Sequence, residues 1–199
     1  NTKTTKERVK KEMSRLKRQL ISLVGEPPIR IPVRKALALR SQQQEPQPAR
    51  NKRHGLAVYG FLHTETGIGQ AGRLLADAFA TTGLPQSNHT LTPPGFDNGV
   101  EYQVATGLDN DLDHALLAIN ADNVRNLASY MDPAHIATNR RLGLFFWELP
   151  VFPGFWSSAL DALDEVWVAS SFVRDSLGSA TTKPIHVVPL PVPLNNLHS

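Results

Sequence analysis

Gly55-Leu56-Ala57-Val58-Tyr59-Gly60-Phe61-Leu62-His63-Thr64-Glu65-Thr66-Gly67-Ile68-Gly69-Gln70-Ala71-Gly72-Arg73 is the stretch that decides the fold class. Its first part, Leu56–Leu62, is short and almost wholly apolar, the pattern of a strand buried on both faces. Its second part opens a helix, predicted over Ile68–Thr82 and ended by Gly83 and Pro85. Downstream the same alternation repeats. Strands are predicted at Ser87–Leu91, Ala115–Ile119, Leu142–Trp147, Glu165–Ala169 and Ile185–Pro189. Helices are predicted at Asp122–Met131, Phe155–Leu163 and Ser171–Leu177, the last with Ser170 or Ser171 as its N-cap. Apolar strands alternating with helices predict an α/β domain, a doubly wound parallel sheet covered on both faces.

Upstream of Gly55 the composition changes. Residues 1–54 carry 15 Lys and Arg against 4 Asp and Glu, whereas residues 55–199 carry 6 against 14. The net charge of +3 thus hides a basic tail on an acidic body. Such a tail suits an anionic partner, and the body does not read as a nucleic-acid binder. Residues 1–25 form a basic amphipathic helix in this reading. Thr4 and Glu7 supply a capping box, Val9, Met13, Leu16, Leu20 and Leu23 an apolar stripe, and Gly25, Pro27 and Pro28 the stop. Its stripe can dock on protein or lie on an anionic membrane surface. Residues 26–54, with Gln42-Gln43-Gln44-Glu45-Pro46-Gln47-Pro48, read as a disordered linker. Residues 55–199 form the body.

The 199 residues contain no cysteine, which excludes disulfides, thiolate metal sites and cysteine nucleophiles. No stretch reaches the roughly 20 apolar residues of a membrane span, and no apolar signal core is found near the start. A cytoplasmic location is expected, with residues 1–54 offering peripheral attachment to the cytoplasmic membrane. HExxH, GxxxxGK[ST] and GxSxG are absent, and the seven histidines show no metal-ligand spacing with nearby carboxylates, so no metal is expected.

Gly67, Gly69 and Gly72 spell GxGxxG. Glycines let backbone approach a ligand, and the helix start behind them presents free N–H groups to an anion. A dinucleotide turn follows its strand directly, however, and here His63 to Thr66 intervene. The second strand, Ser87-Asn88-His89-Thr90-Leu91-Thr92, also ends without the acidic residue that holds a ribose. An NAD(P)-binding oxidoreductase domain therefore stands as an alternative reading, beside glycines that serve packing alone. Open α/β sheets bind ligands at the carboxyl ends of their strands. Those ends deliver His63 with Gly67, Ile68, Gly69 and Gln70, then Asn120 and Asp122, then Trp147 and Glu148, then Ser170 and Ser171. Amide, carboxylate, hydroxyl and aromatic groups together suit a polyhydroxylated ligand. Glu148 follows an apolar strand, where a carboxylate needs a partner or a task. His63 reads equally as a general base or a structural histidine. Asp122 reads equally as a helix cap, and Trp147 also as core.

In order along the chain, several stretches carry a resemblance. They are Tyr59-Gly60-Phe61 through Gly67–Arg73, Asn120-Ala121-Asp122-Asn123, Gly143-Leu144-Phe145-Phe146-Trp147-Glu148-Leu149-Pro150, Phe152-Pro153 with Trp156, and Asp164–Val173. Val187-Val188-Pro189-Leu190-Pro191-Val192-Pro193 closes the series. Residues 55–194 resemble the N-terminal, acceptor-side half of bacterial family 4 (group 1) GT-B glycosyltransferases. The resemblance implies a Rossmann-like domain that faces a donor-binding second half across a cleft, and a retaining transfer from a nucleotide-sugar to a glycan or lipid-linked acceptor. It implies no cofactor, the nucleotide-sugar being the donor substrate. Within it His63 and Glu148 are candidate catalytic residues, and Gly67, Ile68, Gly69, Gln70, Asn120, Asp122 and Trp147 candidate substrate- or phosphate-binding residues. The chain stops about where the second half would begin, so the expectation is a partial enzyme, inactive without the C-terminal donor-binding domain. That absent half would supply the basic groups for the diphosphate. A third reading is a non-catalytic docking module acting through the basic helix.

Overall fold

The computed structural model describes residues 52–93, 95, 99–107, 111–137 and 139–192. The predicted basic helix and nearly all of the predicted linker lie outside the described residues.

The described residues include six strands: β1 Arg53–Gly60, β2 Gln86–Thr90, β3 Leu112–Ala118, β4 Arg140–Phe145, β5 Glu165–Val168 and β6 Ile185–Val187. They form one sheet in the order β2-β1-β3-β4-β5-β6, and every neighbouring pair is parallel. Four α-helices among the described residues accompany them: α1 Gly67–Ala80, α2 Asn120–Val124, α3 Ser157–Asp161 and α4 Ser171–Leu177. The predicted doubly wound, Rossmann-like α/β architecture is therefore the observed one.

Alternation along the strands explains why both faces are covered. Leu56 and Val58 of β1, Leu116 and Ala118 of β3, and Leu142 and Leu144 of β4 pack with Ala71, Leu75 and Ala76 of α1 on one face. Their neighbours Ala57, Tyr59, Ala115, Leu117 and Phe145 pack on the other face with Val124, Leu127, Leu160, Val173 and Leu177. A period of two on each strand thus feeds two cores at once. Full burial of each Leu, Val or Phe contributes about 1.5–3 kcal/mol, which makes these two layers the main source of stability.

Two predicted helices are shorter than expected. The helix read at Asp122–Met131 ends at Val124 and gives way to 3-10 turns at Leu127–Ser129 and Pro133–Ile136. Side chains there compete with the helix. The Ser129 hydroxyl donates to the Asn126 carbonyl at 2.6 Å, and the Tyr130 hydroxyl donates to Asn123 Oδ1 at 2.6 Å. The helix read at Phe155–Leu163 begins as a 3-10 turn at Gly154–Trp156, set by Pro153, and is α-helical only over Ser157–Asp161. The α4 helix has the predicted bounds, with the Ser170 hydroxyl accepting from the Val173 N–H as N-cap.

Candidate functional site

The strand order reverses direction once, between β1 and β3, and this is where an open sheet of this kind offers a crevice at its carboxyl ends. The turn after β1 lies on one side of it and the β3–α2 junction on the other.

The turn after β1 is built by Thr64, Thr66 and Arg73. The Thr64 hydroxyl donates to the Phe61 carbonyl at 2.9 Å and also meets the Thr66 hydroxyl at 2.8 Å. Thr66 caps α1 by accepting from the Gly69 N–H at 3.1 Å. Arg73 is only 8% exposed and turns its guanidinium back into the turn. Its Nη1 donates to the carbonyls of Leu62 (2.9 Å) and Thr64 (3.0 Å), and its Nη2 to Gln70 Oε1 (2.8 Å). Sequence reasoning treated Arg73 only as part of a motif. The signal for its role was one cation placed on the buried side of a helix, at a spacing that reaches the preceding turn.

The three glycines differ. A Cβ on Gly69 would sit 2.6 Å from the Phe61 carbonyl oxygen and 2.9 Å from that of Thr64, so this position requires glycine for packing. A Cβ on Gly67 would meet nothing within 4 Å. Gly67 is the exposed first residue of α1, and its side faces open space. Ile68 is half-buried and its side chain packs against both cores, which leaves only its backbone to a ligand. Gln70 is exposed, with its carbonyl oxygen held by Arg73.

His63 is half-buried beneath the segment 99–105. Its Nε2 lies 3.0 Å from the Tyr102 carbonyl, and its own carbonyl accepts from the Val100 N–H at 3.1 Å. A carbonyl only accepts, so Nε2 carries the proton and Nδ1 is the atom free to accept one. Tyr102 is anchored in turn by its hydroxyl, which donates to Asp77 Oδ1 at 2.7 Å. Burial and this bond raise the phenol's pKa.

Across the crevice Asn120 has φ 61°, making it the one non-glycine residue with positive φ among the described residues. Asn tolerates this left-handed region better than most residues because its short amide can bond locally. Here Oδ1 accepts from the Phe146 N–H at 2.8 Å, tying the end of β3 to the end of β4. Asp122 is not a cap: it is the third residue of α2, whose N-cap, Ile119, makes no side-chain bond. It is exposed, yet crowding of its carboxyl by protein atoms raises its pKa, against the opposing pull of hydrogen bonds from Asn123 and its own N–H.

Trp147 is half-buried in an aromatic cluster, 5.0 Å from Trp156 and 5.7 Å from Phe152 between ring centroids. Its Nε1–H donates to the Val151 carbonyl at 3.1 Å, so its polar atom is spent on shaping the loop after β4. Glu148 is exposed. Water solvates its carboxylate, which removes the desolvation argument for a partner. The turn after β1 and the β3–β4 junction are thus brought to the same end of the sheet, with Trp147 as a packing element and Glu148 on the rim.

The fold also gathers two histidines and a carboxylate that linear spacing leaves apart. At the opposite end of the sheet, single ligand atoms of His54, Asp113 and His114 all lie within 4.8 Å of one another. His54 and Asp113 are 59 residues apart in the chain, so linear spacing conceals them. A shallow depression of about 370 Å³, lined by Asp161 and residues 178–183, also lies at that end and holds none of the candidate site residues.

No helix among the described residues is long and apolar enough to cross a membrane. No family model, curated protein or solved structure matches the chain.

Proposed function

We propose that residues 55–192 form the acceptor-side domain of a retaining glycosyltransferase, whose donor-binding wall is a second body. One observation carries this reading: the glycine turn after β1 and the Asn120–Phe146 tie after β3 and β4 flank the single switch point of a parallel sheet. That is the place where such sheets receive ligands. Open space beside Gly67 leaves room for backbone to meet a phosphate or a sugar hydroxyl. His63 stands at the start of the glycine turn, and in this reading its Nδ1 accepts a proton from the attacking acceptor hydroxyl. Glu148 on the rim orients sugar hydroxyls by accepting their hydrogen bonds. Leu149 and Val151 on the loop after β4, Phe155 in the 3-10 turn Gly154–Trp156 and Phe172 in the first turn of α4 are exposed, with Val151 at 62%. An apolar rim beside polar groups suits an acceptor with a lipid part.

The test is amide mapping by NMR on the full chain. Short oligosaccharides, their lipid-linked analogues, a nucleoside diphosphate sugar and NAD⁺ are titrated separately. Shifts confined to residues 63–70, 120–123 and 146–152 with an acceptor analogue support the reading. Saturable shifts with NAD⁺ alone would replace it with the oxidoreductase reading. Shifts with none of the four remove it.

A further inference from the structure

The geometry points to a divalent-metal site of the zinc class at His54, Asp113 and His114, at the amino ends of β1 and β3. It lies at the end of the sheet away from the glycine turn and does not depend on the transferase reading. The site rests on a bulge. Between Arg53 and Leu56 on β1 and Leu112 and His114 on β3 the register shifts, so His54 and Gly55 together oppose the single residue Asp113. A bulge re-aims side chains that a regular strand would send to opposite faces. Here the carboxylate fills the gap. Asp113 Oδ1 accepts from the Gly55 N–H at 2.9 Å and from His114 Nδ1 at 2.6 Å, and Oδ2 lies 3.1 Å from His54 Nδ1. Gly55 cannot be replaced without moving the bulge, since a Cβ would stand 2.4 Å from the Pro85 carbonyl oxygen.

These separations fit coordination. Zinc bonds of about 2.0–2.1 Å in a tetrahedron place neighbouring ligand atoms about 3.4 Å apart. The Asp113 Oδ2–His54 Nδ1 distance of 3.1 Å sits near that value, the Oδ1–His114 Nδ1 distance of 2.6 Å is that of a hydrogen bond and opens by about 0.8 Å when a metal ion replaces the bridging proton, and the His54 and His114 rings meet edge to face with centroids 5.5 Å apart. Two imidazoles and one carboxylate favour zinc, cobalt or nickel over magnesium and calcium, which prefer all-oxygen shells. Nearby cations do not occupy the carboxylate. Lys52 Nζ donates to Asn139 Oδ1 at 2.6 Å, and Arg53 Nε to Asp111 Oδ2 at 2.6 Å. His54 is 73% exposed in its side chain, which leaves an entry path and an open coordination position for water or a partner's ligand.

The experiment titrates Zn²⁺ into the full chain at pH 7.5 by calorimetry, with Co²⁺ absorption in the visible as a second readout. The expected result is one equivalent bound, cobalt d–d bands of a four-coordinate N₂O site, and a higher melting temperature with metal. His54→Ala, exposed and free of core contacts, and His114→Gln should each weaken Zn²⁺ binding by more than about 100-fold, since loss of even an outer partner of a ligand costs about 10–100-fold. Should His114→Gln fail to fold, His54→Ala alone decides. Binding that survives unchanged in His54→Ala would overturn the proposal by assigning the metal to the other histidines. So would an unsaturable titration, or Mg²⁺ binding as tightly as Zn²⁺.

Discussion

Replacing Arg73 by Met tests how the turn after β1 is held. Met keeps most of the apolar stem and removes the guanidinium, so the packing of α1 on the sheet is nearly retained. What is lost is donation to two carbonyls, those of Leu62 and Thr64, in a buried position. Each buried acceptor left without its donor costs about 1–3 kcal/mol. The variant also recovers the desolvation cost of the buried charge, which trims the sum. The bond to exposed Gln70 adds little. The expected loss is about 2–3 kcal/mol, or a fall in Tm of about 4–12 °C for a domain of this size. Urea unfolding measures it, and the slope with denaturant should not change, because the surface exposed on unfolding is the same. Amide exchange at residues 62–69 should accelerate more than at β4 or β5, since the damage is local. Arg73→Lys should recover only part of the loss, because one ammonium cannot bridge three acceptors in the guanidinium's fork geometry. A loss below about 0.5 kcal/mol with unchanged exchange at residues 62–69, within the range of ordinary surface substitutions, would show that water serves these carbonyls equally well and that Arg73 does not hold the turn.

Further outcomes follow from the same geometry. Gly69→Ala should destabilise by about 1–3 kcal/mol through overpacking against two backbone carbonyls, whereas Gly67→Ala should stay within about 0.5 kcal/mol; equal losses in urea melts would refute the distinction. Gly67→Val should leave the melt almost unchanged and weaken acceptor-analogue binding at the glycine turn, and unaltered binding would remove that turn from the site. Asn120→Ala loses the bond to the Phe146 N–H and keeps an unfavourable φ, for about 2 kcal/mol, while Asn120→Gly loses the bond alone and should cost about half as much; an Ala variant as stable as the Gly variant would contradict the strain. Three carboxyls are held below their ordinary range: Asp111 by the Arg53 bond, and Asp113 and Asp164 by hydrogen bonds that outweigh burial. A depressed folded pKa stabilises above the unfolded value of about 3.9 and the gain is lost as pH falls through the folded pKa, so stability should drop below about pH 4. Asp164→Asn should flatten part of that slope in urea midpoints taken from pH 5 to pH 2.5, and an identical slope would discount the pair with Arg141.

Much of the architecture is legible from residue order. Leu142-Gly143-Leu144-Phe145 and Val166-Trp167-Val168 read as strands because continuous apolar runs leave no solvent face, and the structure covers them on both sides. Ser170 announces its helix because an extended residue with a hydroxyl before a helical run has one obvious use. Helix lengths were less legible. Asn123, Asn126 and Ser129 belong to the class that bonds to nearby backbone or side chains, and here that competition ended α2 after Val124. The site was legible as a set of strand ends and not as a set of roles. Nothing in Trp147 or Glu148 as letters separates a ring spent on a loop from a carboxylate left in water. Arg73 left a local signal, a cation on the buried side of its helix within reach of the preceding turn, whereas the His54–Asp113–His114 group depends on a contact between distant segments, which no local pattern encodes.

The place of β1 in the sheet has a consequence for how the protein is made. Among the described strands β1 is made first and must lie between two later arrivals, and its pairing with β3 joins positions such as Tyr59 and Leu117. At about 5–20 residues per second of synthesis, the nascent strand waits roughly 3–12 seconds for that neighbour. During that interval Ala57, Val58 and Tyr59, all fully buried at the end, have α1 against one face and only polar Gln86–Thr90 at one edge to lean on. The nascent chain is then most in need of a chaperone, and slow codons placed before Leu112 would prolong the exposure.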